Sequence, residues 1–373
     1  MRNRIQISYR SSILKKLPNF IANHLTKSIK SYRYHQSHKK SALKALKAIE
    51  NKNGKLSKET ISLCDKHATE YLGDKKYAPW LYVYSAMQGQ FKEGWIPDNY
   101  YGTNIVPKMD GEFSIPANLK ALSNRLLKTD KLPDILYYHN GIFFEPDNYN
   151  PVTPEEAFDL LFNERDSVIF KKNNSLQGKG VEFFFKDNWD AEKMDLSNGV
   201  FQKVIKQHRF FDEIYPHPGA TIRITTALDP KGVATTRAAY LRIGSSSGNS
   251  LSKHVQVFNT IRIAINLDTG ELFPTGYLVD WRATDSHPDT KKHFNGLVIP
   301  NLKNALREVE NLHNNYPFVS CIGWDISINE NEETEIMEWN AGHNDIKFSE
   351  AVHGPNFADL LCHFKKEHSN QAI

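Results

Sequence analysis

Leu and Ala recur at helical spacing through residues 38–50, HKKSALKALKAIE, with lysines between them. A second helical pattern, KETISLCDKHATEYL over 58–72, follows the turn NKNGK. Residues 1–75 are therefore expected to be mainly helical. The period is then lost. Residues 77–87 and the stretch WIPDNYYGTNIVPKM carry many aromatics without regular spacing and read as packed irregular structure. Helical spacing returns in PANLKALSNRLLKT, 116–129, and ends at KLPDI, because proline cannot continue a helix. PVTPEEAFDLLFNE places proline and acids at the start of another helix.

From there the pattern becomes β-like. DSVIFKK and VEFFFK read as strands flanking the loop NNSLQGKG. VFQKVI, TIRITTAL, ATTRAAYLRIG and FNTIRIAINL follow, each bounded by Gly, Asp-Pro or Asn. NLKNALREVENLHNN is an amphipathic helix, and CIGWDISI and TEIMEWN form a hairpin across NENEE. FADLLCHFKKE closes the chain as a helix. This mixture predicts an α+β fold of several packed layers.

Charge changes the picture more than composition does. Residues 1–58 hold 15 Lys and Arg against one acid, Glu50, whereas the remainder carries a net charge of −10. A basic arm on an acidic body implies a separate role for the arm, such as contact with an anionic membrane surface through residues 1–58. Tyr32 and Tyr34 are its only close aromatic pair, so a base-stacking platform for nucleic acid is not expected. No apolar run is long enough to span a bilayer, and a cytoplasmic location, peripheral at the inner face of a membrane, is expected. Cys64, Cys321 and Cys362 lie far apart without a CxxC pair and are read as thiols.

The chemistry concentrates in three segments. In the last hairpin the turn centres near Asn331, so antiparallel pairing sets Asp325 beside Met337 or Glu338. Glu338 and Asn340 are two apart and share one face. Asp325, Glu338 and Asn340 thus offer three oxygen ligands to a hard cation such as Mg²⁺. In VIFKKNNSLQGKGVEFF a Gly-x-Gly loop between strands can close backbone N–H groups over phosphate oxygens, with Lys171 or Lys172 as a point charge. Further on, the strand around Gln202 can present backbone groups and an amide to an adenine rim. Arg223 and Arg242, on otherwise apolar strands, suit either a structural ion pair or a clamp on a phosphoryl group or carboxylate. His254 and Lys253 can reach an acceptor. His343, just after the hairpin, is more readily structural.

In this order the segments resemble the ATP-grasp superfamily, and more narrowly its sugar-transfer-associated branch of cell-surface polysaccharide biosynthesis. The resemblance rests on FKKNNSLQGKGV, FQKVIKQH, ATIRITTAL, AAYLRIG, and IGWDISI with IMEWN, and covers about three quarters of the chain. It implies two α+β subdomains clamping ATP with one or two Mg²⁺ ions. The parts would be a basic helical extension over 1–75, an N-terminal part over 76–120, an ATP-clamping subdomain over 121–207 and a catalytic subdomain over 208–373.

The resemblance also implies roles. Lys171 would be the phosphate lysine and Ser175, Gly178, Lys179 and Gly180 the phosphate loop. Gln202, Lys203, Val204 and Ile205 would form the adenine hinge. Asp325, Glu338 and Asn340 would hold the metal. Arg223 would face the γ-phosphate and Arg242 the acid. An earlier phosphate-binding lysine is usual in the family, and SNRLLK offers Arg125 in its place. The implied reaction is an ADP-forming ligation of a small acid to an amine or glycan precursor. The rival readings are a kinase on the same scaffold and a nucleotide-regulated binding module. Two further departures are Gln202, where Glu is common, and SSSGNSLSKHVQVFNT, where an Asp-Asn and glycine-rich segment is common.

Overall fold

The computed structural model describes residues 19–174, 180–190, 196–217, 219–246 and 260–369. Ser175, Gly178, Lys179, Lys253 and His254 lie outside the described residues.

The described part of the basic arm begins with one long helix, α1 (Asn19–Asn53), ended by Gly54, whose φ of +87° closes the last turn. Its inward side buries His35, Ala42, Ala45 and Ile49. Small residues at 42 and 45 let it approach α3 (Ala78–Gln88) closely. A short helix, α2 (Lys58–Lys66), lies between them in sequence and is capped by the Ser57 hydroxyl, which accepts from Thr60 N–H. Segment 77–87 is thus helical and not irregular, as its sequence had suggested. Eight of its residues are buried, so apolar positions occur all round and leave no stripe to read. Conversely, the helical spacing of 116–129 yields only α4 (Ser123–Leu127), preceded by short 3₁₀ turns.

Two antiparallel sheets face each other. The first has the order β3-β2-β1-β6-β4-β5, with β1 (Asp134–His139), β2 (Ile142–Phe144), β3 (Pro151–Val152), β4 (Ser167–Lys172), β5 (Val181–Phe185) and β6 (Gly199–Lys203). Strands β1 and β2, missing from the sequence expectation, are joined by Asn140 and Gly141, both at positive φ, the hairpin chemistry that Asn-Gly provides. Helix α5 (Pro154–Phe162) carries a full capping box between Thr153 and Glu156. It covers one face of the sheet, burying Leu136, Val168, Phe170 and Phe201. Alternation therefore turns Lys171 and Gln202 to the other face.

The second sheet has the order β11-β10-β9-β8-β7-β12-β13. Its strands are β7 (Thr221–Leu228), β8 (Ala234–Gly244), β9 (Thr260–Ile265), β10 (Leu272–Tyr277), β11 (Ala283–Thr284), β12 (Cys321–Ile328) and β13 (Thr334–Asn340). Ile222, Ile224, Trp324, Ile326, Ile336 and Trp339 bury one face in a core shared with α7 (Leu302–Asn315). A short helix, α6 (Arg209–Ile214), links the two sheets in sequence. The closing helices α8 (Lys347–His353) and α9 (Ala358–Ser369) join α1 and α3 in a third core around Trp80, Tyr84, Trp95 and Phe348. Among the described residues no helix is long and apolar enough to cross a membrane. Cys64 and Cys321 are buried free thiols and Cys362 is an exposed one.

Candidate active site between the two sheets

Asp325 pairs with Glu338 across β12 and β13, and this register depends on one extra residue. Ser327 pairs with Glu335 and Ile326 with Ile336, after which the ladder skips Met337. The bulge reverses the alternation, so Ile336 and Trp339 both reach the core although they are three apart. Glu338 and Asn340 are thereby turned to the face that carries Asp325.

Two arginines hold Asp325. Arg223, opposite it on β7, donates from Nε to Oδ1 at 2.6 Å and from Nη2 to Oδ2 at 3.0 Å. Arg242 on β8 places Nη2 2.6 Å from Oδ1. Burial alone would raise the Asp325 pKa, but the two guanidiniums outweigh it and hold the carboxyl below the usual range. The third Arg223 nitrogen, Nη1, donates to the Asn344 carbonyl at 2.9 Å. This head lies over Gly323, where a Cβ would come within 2.9 Å of Nη1, so only glycine fits beneath it.

Glu338 is more open. Its side chain is 35% exposed and its carboxylate makes no hydrogen bond among the described residues; Lys120 Nζ lies 3.9 Å away. Asn340 donates weakly to the Gly323 carbonyl and to Asp325 Oδ2, at 3.3 and 3.5 Å, which directs its amide into the same row. Among the described residues no three His, Cys, Asp or Glu side chains gather around one point. The set here is instead two carboxylates and an amide oxygen, with the Glu338 carboxylate unbonded. That donor chemistry fits a hard, oxygen-preferring divalent cation.

From the opposite sheet, Lys171 reaches across to donate to the Met337 carbonyl at 3.1 Å. Met337 is the bulged residue, so its backbone is outside the ladder. Burial lowers the Lys171 pKa to about 8, against the opposing pull of Glu338. Lys172 points to the other face, where Glu182 lies 2.7 Å away. Gln202 is buried on the cleft face and donates to Asp134 Oδ1 at 2.7 Å. Lys203, on the other side of β6 from Gln202, also reaches the facing sheet, 3.3 Å from Glu335 of β13. Val204 and Ile205 follow the end of β6 as irregular, partly buried backbone. Gly180 returns the loop to β5 through its carbonyl, which accepts from Lys172 N–H at 2.9 Å.

The structure thus brings Lys171, Asp325, Glu338, Asn340, Arg223 and Arg242 together. Arg125 has other partners: its guanidinium stacks over Tyr149 at 3.6 Å and donates to the Asp147 carbonyl. Lys120 is a cation that approaches Glu338, and no sequence pattern marks it for that place. It lies inside NLKALSNRLL, whose helical spacing carries no sign of a contact with the distant β13.

Lys171 on one sheet thus faces a carboxylate–arginine row on the other. Residues 191–366 match the family described as sugar-transfer associated ATP-grasp. Among solved structures, biotin carboxylase from Campylobacter jejuni, as its β-γ-ATP complex, is 12% identical with a TM-score of 0.41, over 86% of this chain and 68% of that one. The D-alanine-D-alanine ligase from Coxiella burnetii is 10% identical with a TM-score of 0.37, over 70% and 60%. The MgADP-bound biotin carboxylase domain of Hydrogenobacter thermophilus 2-oxoglutarate carboxylase is 12% identical with a TM-score of 0.36, over 65% of this chain but 45% of that one. This chain spans between 44% and 54% of that domain and of two similar N5-carboxyaminoimidazole ribonucleotide synthetases. These likenesses carry nothing about the chemistry of this chain. A comparison with curated proteins found no match.

Proposed function

We propose that this protein is an ATP-dependent carboxylate–amine ligase working through an acyl phosphate, with an acid or amine on a cell-surface polysaccharide precursor as one partner. The observation that carries the reading is the Lys171–Met337 contact, which sets a cation from one sheet against the Asp325–Glu338 row of the other. Nucleotide phosphates between these layers would meet Lys171 and Lys120 on one side. Glu338, Asn340 and Asp325 would hold Mg²⁺, which supplies charge neutralisation at the β- and γ-phosphates.

In the reaction, an oxygen of the acid forms a bond to the γ-phosphorus, and the bond from that phosphorus to the ADP oxygen breaks. The amine then forms a bond to the acyl carbon, phosphate leaves with the bonding electrons, and the amine nitrogen gives up a proton. Arg242, 24% exposed on the side chain and paired on one nitrogen with Asp325, would bind the acid. The chain's own work is positioning and charge balance, and no side-chain nucleophile is required. A precursor carried on lipid would bring this reaction to the inner face of a membrane.

A kinase on the same scaffold is the second reading, because Arg242, paired through one nitrogen with Asp325, would also hold a phosphoryl acceptor. Thermal stabilisation by a non-hydrolysable ATP analogue, with and without Mg²⁺, tests the site itself. Stabilisation that needs Mg²⁺ and is weakened by Glu338→Gln supports it; no response to any nucleotide overturns it. ADP release that requires both an acid and an amine, with free phosphate formed, distinguishes the ligase from the kinase.

A further inference from the structure

We propose that the outward face of α1 is a docking surface for an anionic lipid bilayer. The inward face is fixed: Trp80 Nε1 donates to His38 Nδ1 at 3.1 Å, His35 meets Asn99, and Ala42, Ala45 and Ile49 are buried. The opposite side is therefore presented in one orientation. Positions 29, 32, 33, 36, 40, 43, 44 and 47 follow helical spacing and are all exposed. They form a stripe about 27 Å long at 1.5 Å rise per residue.

The stripe is basic and apolar at once. Arg33, Lys40, Lys44 and Lys47 lie along it, with Lys30 and Lys39 at its margins. None of these cations has an ion-pair partner among the described residues. No acidic residue occurs in the chain before Glu50. Interleaved with the cations are Ile29, Tyr32 and Leu43, exposed by 43%, 66% and 44%. Exposed lysines alone would keep a helix soluble. Apolar side chains on the same stripe gain by leaving water, and an anionic headgroup layer takes both kinds of residue.

Nucleic acid is the weaker match. A phosphate backbone is met by cations and polar groups, whereas Ile29, Tyr32 and Leu43 interrupt the cations of this stripe with exposed apolar surface that a nucleic-acid backbone would leave in water. The rest of the chain orients the molecule as well. Residues 59–373 carry a net charge of −10, so an anionic surface attracts the helix and repels the body. The docking face deepens the membrane-side location proposed for the enzyme and stands apart from the nucleotide reading, since no stripe residue belongs to the candidate active site.

The test is co-sedimentation of the full chain with vesicles of phosphatidylcholine alone or mixed with phosphatidylglycerol. The expected result is binding to the mixed vesicles only, weakened by salt. The variant Lys40→Glu/Lys44→Glu/Lys47→Glu should lower that partitioning on the order of 100-fold or more. Leu43→Ser should lower it severalfold at unchanged charge. All four positions are exposed, and circular dichroism and Tm confirm that the variants fold. Equal binding to neutral vesicles, binding retained by the charge-reversed variant, or retention by DNA or RNA without vesicle binding overturns the proposal. Mg²⁺–nucleotide stabilisation measured on the same samples separates failure of this surface from failure of the ATP site.

Discussion

Met337 stands out of the β12–β13 ladder and gives its carbonyl to Lys171, so one bulge both turns Glu338 toward Asp325 and joins the two sheets. The two carboxylates in this row have different surroundings, and they should respond differently to neutralisation. Asp325→Asn leaves Arg223 and Arg242 facing each other, 8% and 24% exposed on the side chain, without their shared anion. The expected cost is about 3–5 kcal/mol of folding stability, from removing one partner of a buried charge cluster. Glu338→Gln, at an open position, should change stability by less than about 0.5 kcal/mol. It should still lower turnover on the order of 100-fold. Urea unfolding and an ADP-release assay on the same two proteins check the contrast.

Lys171 titrates near the working range because burial lowers its pKa to about 8. Above that pH the free enzyme loses the cation that phosphates require, and binding must take a proton up. Nucleotide Kd should therefore be flat below about pH 8 and rise toward tenfold per pH unit above it. Lys171→Met should bind more weakly at neutral pH and lose this rise. A Kd against pH profile by calorimetry decides, and a rise retained in Lys171→Met would assign the titration to another group.

Gln202 is matched to a buried carboxyl that favours an amide at this position. Its amide donates to Asp134, a carboxyl whose pKa burial already raises. A glutamate here would set two carboxylates at hydrogen-bonding distance, and one would have to keep its proton. Gln202→Glu should thus destabilise the protein by about 1–3 kcal/mol at neutral pH, with part of the loss recovered on acidification. Adding Asp134→Asn should restore stability by supplying a neutral amide partner. A double-mutant cycle in urea measures this, and additive single effects would show that the pair is not coupled.

The sequence made legible those parts whose pattern is one-sided. The amphipathic helix α7 and the proline-and-acid start of α5 were readable because each is marked on one face or at one end, and β7 was readable from the polar–apolar alternation of TIRITTAL although both its faces are buried. Helix α3 was not, because surrounding it with core removes its period. The β1–β2 hairpin was readable in principle, since Asn140-Gly141 lies between apolar runs. At the site, a symmetric turn puts Asp325 opposite Met337, one residue from the observed partner. Nothing in TEIMEWN marks the bulge except that Ile336 and Trp339 both belong in the core. Lys120 and Gln202 depend on contacts with distant residues, Glu338 and Asp134, which no local pattern contains.

Lys120 and Arg125 compete for the role of a second phosphate cation, and their surroundings separate them. Lys120 lies 3.9 Å from Glu338, 12% exposed, with its backbone N–H held by Asn173 Oδ1. Arg125 is already engaged by Tyr149 and the Asp147 carbonyl. Lys120→Met should weaken nucleotide binding by about tenfold or more, as loss of a charged contact does. Arg125→Ala should leave it within about twofold, while lowering stability slightly through the lost cation–π stack. The reverse ranking would mean that α4 moves to bring Arg125 onto the phosphates.

Acid should unfold the protein through its buried histidines. His313 is fully buried; its Nε2–H donates to the Val319 carbonyl at 2.8 Å. That leaves Nδ1 to accept from the Thr226 hydroxyl at 2.7 Å, whose oxygen in turn accepts from Trp324 Nε1 at 2.9 Å. Protonation would put a second donor into this chain, and burial lowers the His313 pKa to about 4. His38 is likewise lowered to about 4, by burial against the opposing pull of Asp98. The folded state then holds fewer protons than the unfolded one between about pH 4 and 6.5, so stability falls as pH drops through that window. Each histidine contributes at most roughly 3 kcal/mol. Asp110 works in the opposite sense, since burial raises its pKa to about 6 and its extra proton favours the folded state in acid. Other buried groups shift in both senses, with His35, His67, His287 and His353 lowered and Asp134, Glu308 and Glu350 raised by burial, so the His313 contribution is isolated by substitution. His313→Gln keeps a donor and an acceptor but cannot titrate. Its loss of stability between about pH 7 and about pH 4.5 should therefore be smaller than that of the wild type by about 2–3 kcal/mol in urea midpoints converted to free energy. An unchanged difference between the two pH values would remove His313 from the acid response.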